Sequence, residues 1–128
     1  MLVRSPRPGW LASQGRVKLL PFLSHDDYKR VNALCDVMLD TLHWSGGNTS
    51  LDALAMGLPI VTLPGEFMRG RQTMGMLAML GVEELIVATI DEYLTLARLT
   101  AQGRVSAAIP SPPQLAAQSA SCQCRKHG

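Results

Sequence analysis

The sequence predicts an α/β fold, a Rossmann-like parallel sheet with flanking helices. Short apolar or β-branched runs at 17–20, 37–40, 59–63 and 85–87 alternate with stretches of helical periodicity, and prolines or glycines punctuate the changes. Such alternation belongs to parallel sheets whose helices cover the faces. The 128 residues, 47% hydrophobic and 17% charged, have the length and composition of one globular domain at most.

Taken in order, Val17-Lys18-Leu19-Leu20-Pro21 reads as a short apolar strand ended by proline. Ser24 then opens a helix, with Asp27 three residues on as its capping-box partner, and Tyr28, Val31, Leu34 and Cys35 recur on one face. Val37-Met38-Leu39-Asp40 reads as a strand buried on both faces. A glycine loop leads to a helix through Leu51, Leu54 and Ala55, which Gly57 and Pro59 terminate. Residues 59–64 form the clearest strand, β-branched and bounded by prolines. A helix from Glu66 to Leu80, a short strand at Leu85-Ile86-Val87 and a helix from Asp91 to Ala101 complete the pattern.

The ordered unit is expected to span 16–102. Residues 1–15, broken by Pro6, Pro8, Gly9 and Gly15, read as irregular. Residues 103–128, rich in Ala, Ser, Gln and Pro, carry too little apolar surface to offset the entropy of ordering them and read as disordered. The net charge of +2 hides a division. All ten acidic residues lie between Asp26 and Glu92, opposed there only by Lys29, Arg30, Arg69 and Arg71. The remaining basic residues sit mostly in the flanks rather than on a folded face, which disfavours nucleic acid as a partner.

No apolar run approaches the roughly 20 residues of a membrane span, and prolines and glycine interrupt any secretory signal. Three cysteines make no disulfide framework, so a reducing cytoplasm is the expected location and Cys35 is expected to be a small buried hydrophobe. Cys122, Cys124 and His127 lack a fourth ligand and a structured setting; no metal is expected.

Ligands of open parallel sheets bind beyond the carboxyl ends of the strands, here the loops at 21–25, 41–49 and 63–66. In the second, Gly46 and Gly47 let the backbone approach a ligand, and Asn48, Thr49 and Ser50 place amides and hydroxyls at a helix start. Free N–H groups and the positive end of the helix dipole favour an anion there, and phosphate suits the geometry. Asp52 would repel a diphosphate unless it turns away to accept from ribose hydroxyls, a pair of demands that a nucleoside diphosphate meets. The same residues also permit a plain capping box, Thr49-x-x-Asp52, which needs no ligand. Spacing alone leaves both readings open.

Other candidates have equally plain alternatives. His25, just inside a helix N-terminus, is either a neutral ring near phosphate or a solvated first-turn histidine. Arg71 either complements phosphate or lies exposed. Trp44 either stacks on a ligand or packs the loop against the domain, and Met68, Met74, Met76 and Met79 fit core filling as well as a binding stripe.

The runs Leu23-Ser24-His25-Asp26-Asp27-Tyr28, Cys35 to Thr41, Gly46 to Leu54, and Gly57 to Glu66 followed by Arg71 resemble the C-terminal half of O-linked N-acetylglucosamine transferases, the bacterial SPINDLY-like branch in particular. The resemblance covers about residues 16–100. It implies the C-terminal, nucleotide-sugar-binding half of a GT-B fold, with UDP-GlcNAc as donor and inverting transfer of N-acetylglucosamine to Ser or Thr of proteins, without an obligatory metal or cofactor. By position it implies that Gly47, Asn48, Thr49, Ser50 and His25 hold the donor diphosphate and that Asp52 binds ribose. Tyr28 and Arg71 fall on the nucleotide side. His25 stands where many relatives have lysine, Tyr28 where some have histidine, and Gly47 where animal relatives have histidine.

The first GT-B half and the acceptor-recruiting repeats of that family have no counterpart in the residues before Val17, so the expected role is donor binding without turnover by the isolated chain. The competing readings are a non-catalytic remnant or nucleotide-binding subunit, and a different GT-B sugar transferase or epimerase.

Overall fold

A computed structural model describes residues 18–105 and Ile109. Its centre is a parallel pair, β1 (Met38–Leu39) and β2 (Ile60–Val61), in the register Met38 to Ile60 and Leu39 to Val61. The Met38 amide donates to Pro59 O at 2.8 Å and the Asp40 amide to Val61 O at 3.0 Å. On the far side of β2, Thr62 pairs with Ile86 in one further parallel bridge. Three of the expected strands therefore lie side by side, but the one at 85–87 is reduced to that bridge. A 3-10 turn at Glu83–Leu85 occupies the approach, and the cap of the next helix follows at Thr89.

The helices are α1 (His25–Leu34), α2 (Asn48–Ala55), α3 (Gln72–Leu80) and α4 (Ile90–Ala101). Ser24 caps α1 by accepting from the Asp27 amide, while its own hydroxyl donates to the Asp27 carboxylate at 2.9 Å. Only half of the expected capping box forms. The full reciprocal box is at α4, between Thr89 and Glu92. Helices α2 and α3 stop at glycines with left-handed backbone, Gly57 (φ 76°) and Gly81 (φ 72°), a conformation that disfavours any side chain.

The core is Ala53, Leu54, Leu58, Ile60, Val61, Leu77, Val82, Leu85 and Tyr93. These residues come from α2, β2, α3, α4 and their links, and Ile109 packs against them. Burying this apolar area is the main favourable term for so small a unit. Among the described residues no helix is long and apolar enough to cross a membrane.

Several local expectations are corrected. Residues 18–20 are not a strand: 18–23 make no backbone hydrogen bond among the described residues, and Leu19 and Leu20 are exposed. Without a neighbour to pair with, an apolar run stays irregular. Cys35 is exposed because α1 ends at Leu34; Cys35 is its C-cap, with extended backbone that leaves the helical face. Leu34 is exposed too, and Asn32 takes the buried position on α1. Strand β1 is half-buried rather than buried on both faces. The helix foreseen from Glu66 begins only at Gln72. Gly65 donates to Gly70 O at 3.1 Å, closing a loop around the 3-10 turn Met68–Gly70 before a helix can start. The segments 1–15 and 110–128, with Cys122, Cys124 and His127, lie outside the described residues.

Candidate functional site

The loops leaving β1 and β2 meet at the carboxyl end of the sheet and are tied together by a buried polar cluster. Asp40, directly after β1, is 3% exposed. Its Oδ2 accepts from Ser45 Oγ and Thr62 Oγ1, both at 2.7 Å, and its Oδ1 accepts from the Gly46 amide at 2.8 Å. Three donors satisfy a carboxylate that would otherwise be costly to bury. Tyr93 of α4 donates its hydroxyl to the Asp40 carbonyl at 2.7 Å. Burial and the neighbouring Asp40 charge push the Tyr93 phenol up to about 12.

The glycine loop is drawn tight by this cluster. A Cβ on Gly46 would stand 2.4 Å from Ser50 Oγ and 2.8 Å from Thr49 Oγ1, so the loop lies directly on the hydroxyls of the helix it feeds. The N-cap of α2 is Gly47, and no side chain caps the helix. The Thr49-x-x-Asp52 capping box does not form. Ser50 and Leu51 donate to the Gly47 carbonyl, while the amides of Asn48 and Thr49 take no partner among the described residues. Asn48 and Thr49 are exposed. The arrangement is an open helix start with unused donors, which favours an anion.

Ser50 is placed differently from its neighbours. It is fully buried, and its hydroxyl lies 2.8 Å from Thr73 Oγ1 of α3, behind the loop rather than on its open side. His25, the first residue of α1, meets Asp52 of α2, with Nδ1 3.7 Å from Oδ2. Tyr28 is half-buried on the same helix as His25. Arg71 is exposed at the start of α3 and donates to the Gly65 carbonyl at 3.1 Å. Its neighbour Gln72 reaches the glycine loop, with Oε1 3.1 Å from the place of a Gly47 Cβ.

Trp44 does not pack the loop down: it is 68% exposed, and its carbonyl accepts from Thr41 Oγ1. Of the methionines, Met76 packs on the core whereas Met68 and Met79 are exposed. A shallow depression beside the loop is lined by Leu42, His43, Gly65, Glu66, Phe67, Arg69 and Gly70, with the Arg69 guanidinium 4.8 Å above the Phe67 ring. Among the described residues no group of three His, Cys, Asp or Glu side chains could hold a metal.

Asp40, Ser45, Thr62, Thr73 and Gln72 escaped the sequence reading. The available signal was the polar residue that closes each strand, Asp40 after β1 and Thr62 after β2, since a polar side chain there faces the loops.

The pattern of glycosyl transferase family 41 matches residues 11–109. The chain is 35% identical over 83 residues to a probable UDP-N-acetylglucosamine--peptide N-acetylglucosaminyltransferase SPINDLY of Hordeum vulgare, which is 64% of this chain and 9% of that protein. It is 39% identical over 72 residues to the UDP-N-acetylglucosamine--peptide N-acetylglucosaminyltransferase of Caenorhabditis elegans, 56% of this chain and 6% of that one. Its structure is similar to that of a mutant O-GlcNAc transferase of Thermobaculum terrenum, with a TM-score of 0.66 and 40% identity over 72% of this chain and 18% of the other. The chain thus spans a tenth or less of the curated relatives it matches. Plant and nematode relatives match alongside the Thermobaculum structure, so the likeness does not single out a bacterial branch. The α/β, Rossmann-like character expected of a GT-B half is borne out by that structural likeness. With the family pattern over most of its length, the chain belongs to glycosyl transferase family 41.

Proposed function

We propose that the chain is the donor-binding part of a protein O-GlcNAc transferase and that it binds UDP-GlcNAc at the start of α2. The observation that carries this is the uncapped N-terminus of α2 at the carboxyl end of a parallel sheet, with the amides of Asn48 and Thr49 unused. The diphosphate lies against Gly47, Asn48 and Thr49, where the helix dipole and free N–H groups offset its charge. Ser50 shapes the loop from behind. Asp52 accepts from the ribose hydroxyls beside His25, and Tyr28 and Arg71 border the nucleotide.

In this reading the leaving UDP is stabilised by fixed N–H dipoles and needs no metal or other cofactor. The sugar passes with inversion to a Ser or Thr hydroxyl of a protein. In this reading the groups that meet the acceptor belong to the other GT-B half of such an enzyme; the chain corresponds to 18% of the matched transferase.

Calorimetric titration of the 128-residue chain with UDP tests the proposal. Binding is expected, with UDP preferred over GDP and ADP. A folded sample that takes up no UDP at millimolar concentration would defeat it, and equal affinity for the three diphosphates would move the assignment to another sugar-nucleotide enzyme.

A further inference from the structure

The polar cluster beneath the glycine loop has its hub in α3, on a residue that touches no proposed ligand. Thr73 is fully buried. Its Oγ1 lies 2.8 Å from Ser45 Oγ, 2.8 Å from Ser50 Oγ and 3.3 Å from the Gly46 carbonyl, and its amide donates to Ser45 Oγ at 2.9 Å. One residue therefore holds the loop on both sides of its glycine pair, at Ser45 before it and at Ser50 after it.

Proton counting gives the cluster a direction. Ser45 has one hydroxyl proton, and the Asp40 carboxylate, which only accepts, takes it at 2.7 Å. Ser45 Oγ must then accept from Thr73, through the amide and through the hydroxyl. With the Thr73 proton so used, Ser50 donates to Thr73 Oγ1. The chain runs Ser50 to Thr73 to Ser45 to Asp40, each of these three hydroxyls has an acceptor for its proton, and the Gly46 amide is fixed on the same carboxylate at 2.8 Å.

We infer that Thr73 is a positioning residue: its hydroxyl bolts α3 to the glycine loop and sets the open conformation in which the start of α2 receives a diphosphate. Substituting valine keeps the volume but removes the hydroxyl, so Ser50 loses its acceptor and Ser45 one of its donors, and of these ties to Thr73 only its amide bond to Ser45 Oγ remains. Serine keeps the hydroxyl. The functional part of this inference rests on the UDP assignment, whereas the positioning of the loop does not.

The test compares the intact 128-residue chain with Thr73→Val and Thr73→Ser. Amide hydrogen exchange of Ser45 and Gly46, whose amides are hydrogen-bonded to Arg69 O and Asp40 Oδ1, is read without ligand, and affinities for UDP and uridine are read by titration. Thr73→Val is expected to speed exchange at these two amides and to lower UDP affinity about tenfold, while uridine, which lacks the diphosphate, changes by less than about twofold. Thr73→Ser should match the wild type in both. A merely structural role would weaken UDP and uridine alike. Unchanged exchange in Thr73→Val overturns the inference, as does an unchanged ratio of UDP to uridine affinity in a wild type that binds UDP. Should the wild type bind no UDP, faster exchange in Thr73→Val alone still upholds the positioning while the functional assignment falls. If Thr73→Val does not fold, the smaller Thr73→Ala carries the same two comparisons.

Discussion

Tyr93 on α4 donates its hydroxyl to the main-chain carbonyl of Asp40, 53 positions earlier, across 2.7 Å. That bond fixes α4 to the end of β1 at the residue that also anchors the glycine loop. The phenol is held up at about 12, first by burial and then by the Asp40 charge. Below pH 10 the ring is neutral in the folded and unfolded chains, and its contribution is fully present. Between pH 10 and 12 the unfolded chain releases the proton that the folded chain keeps, so stability falls, by roughly 2–3 kcal/mol in all. Tyr93→Phe should cost about 1–2 kcal/mol at neutral pH and lack this alkaline loss. Urea unfolding from pH 8 to 12 checks it: the gap between wild type and variant should close as pH rises and reverse toward pH 12.

The two loop glycines should respond differently to alanine. At Gly46 the new Cβ meets Ser50 Oγ at 2.4 Å, and Ser50 is fully buried and cannot yield. Gly46→Ala should therefore destabilise the chain by about 1–3 kcal/mol and lower UDP affinity with it. At Gly47 the nearest atom is Gln72 Oε1 at 3.1 Å, the end of a flexible exposed side chain. Gly47→Ala should fold with near wild-type stability. Thermal melts and UDP titration of the two variants, measured side by side, decide the matter.

Thr89 offers a contrast well away from the loop. It caps α4 in a reciprocal box with Glu92. Thr89→Ala should cost about 1 kcal/mol in unfolding experiments and leave UDP affinity of the folded chain unchanged. A parallel loss of affinity would show that α4, through Tyr93, is coupled to the site.

The strand–helix alternation was legible because each turn of the chain carries a local mark: prolines around β2, left-handed glycines after α2 and α3, the cap at Ser24. Pairing was not legible, since whether 17–20 or 85–87 becomes a strand depends on a neighbour that no local pattern names. Within the site, Gly46 to Asp52 stood out because glycine next to small polar residues is rare in an apolar chain. The supporting layer did not. Ser45 and Thr73 look like ordinary polar residues in sequence, and only the fold brings them within hydrogen-bond distance across 28 positions. The capping box at Thr49 and Asp52 had the right spacing and failed because Gly47 starts the helix two residues earlier and α1 brings His25 to Asp52.

That His25–Asp52 pairing yields the last prediction. The imidazole is 63% exposed and the carboxylate 22% exposed, at 3.7 Å. A pair so open to solvent adds little to stability, so His25→Ala should shift the unfolding free energy by less than about 0.5 kcal/mol. If Asp52 accepts from both ribose hydroxyls, Asp52→Ala should lower UDP affinity by about tenfold or more, each lost hydrogen bond to a charged acceptor being worth about 1.5–3 kcal/mol. The same variant should bind inorganic pyrophosphate as well as the wild type does, because the unpartnered amides of Asn48 and Thr49, proposed to receive the diphosphate, are untouched. His25→Ala should fall between, weakening UDP by releasing the Asp52 carboxylate from its orientation. Equal UDP affinity in wild type and Asp52→Ala would remove Asp52 from the site, and loss of pyrophosphate binding in that variant would place its effect in the loop rather than on the ribose.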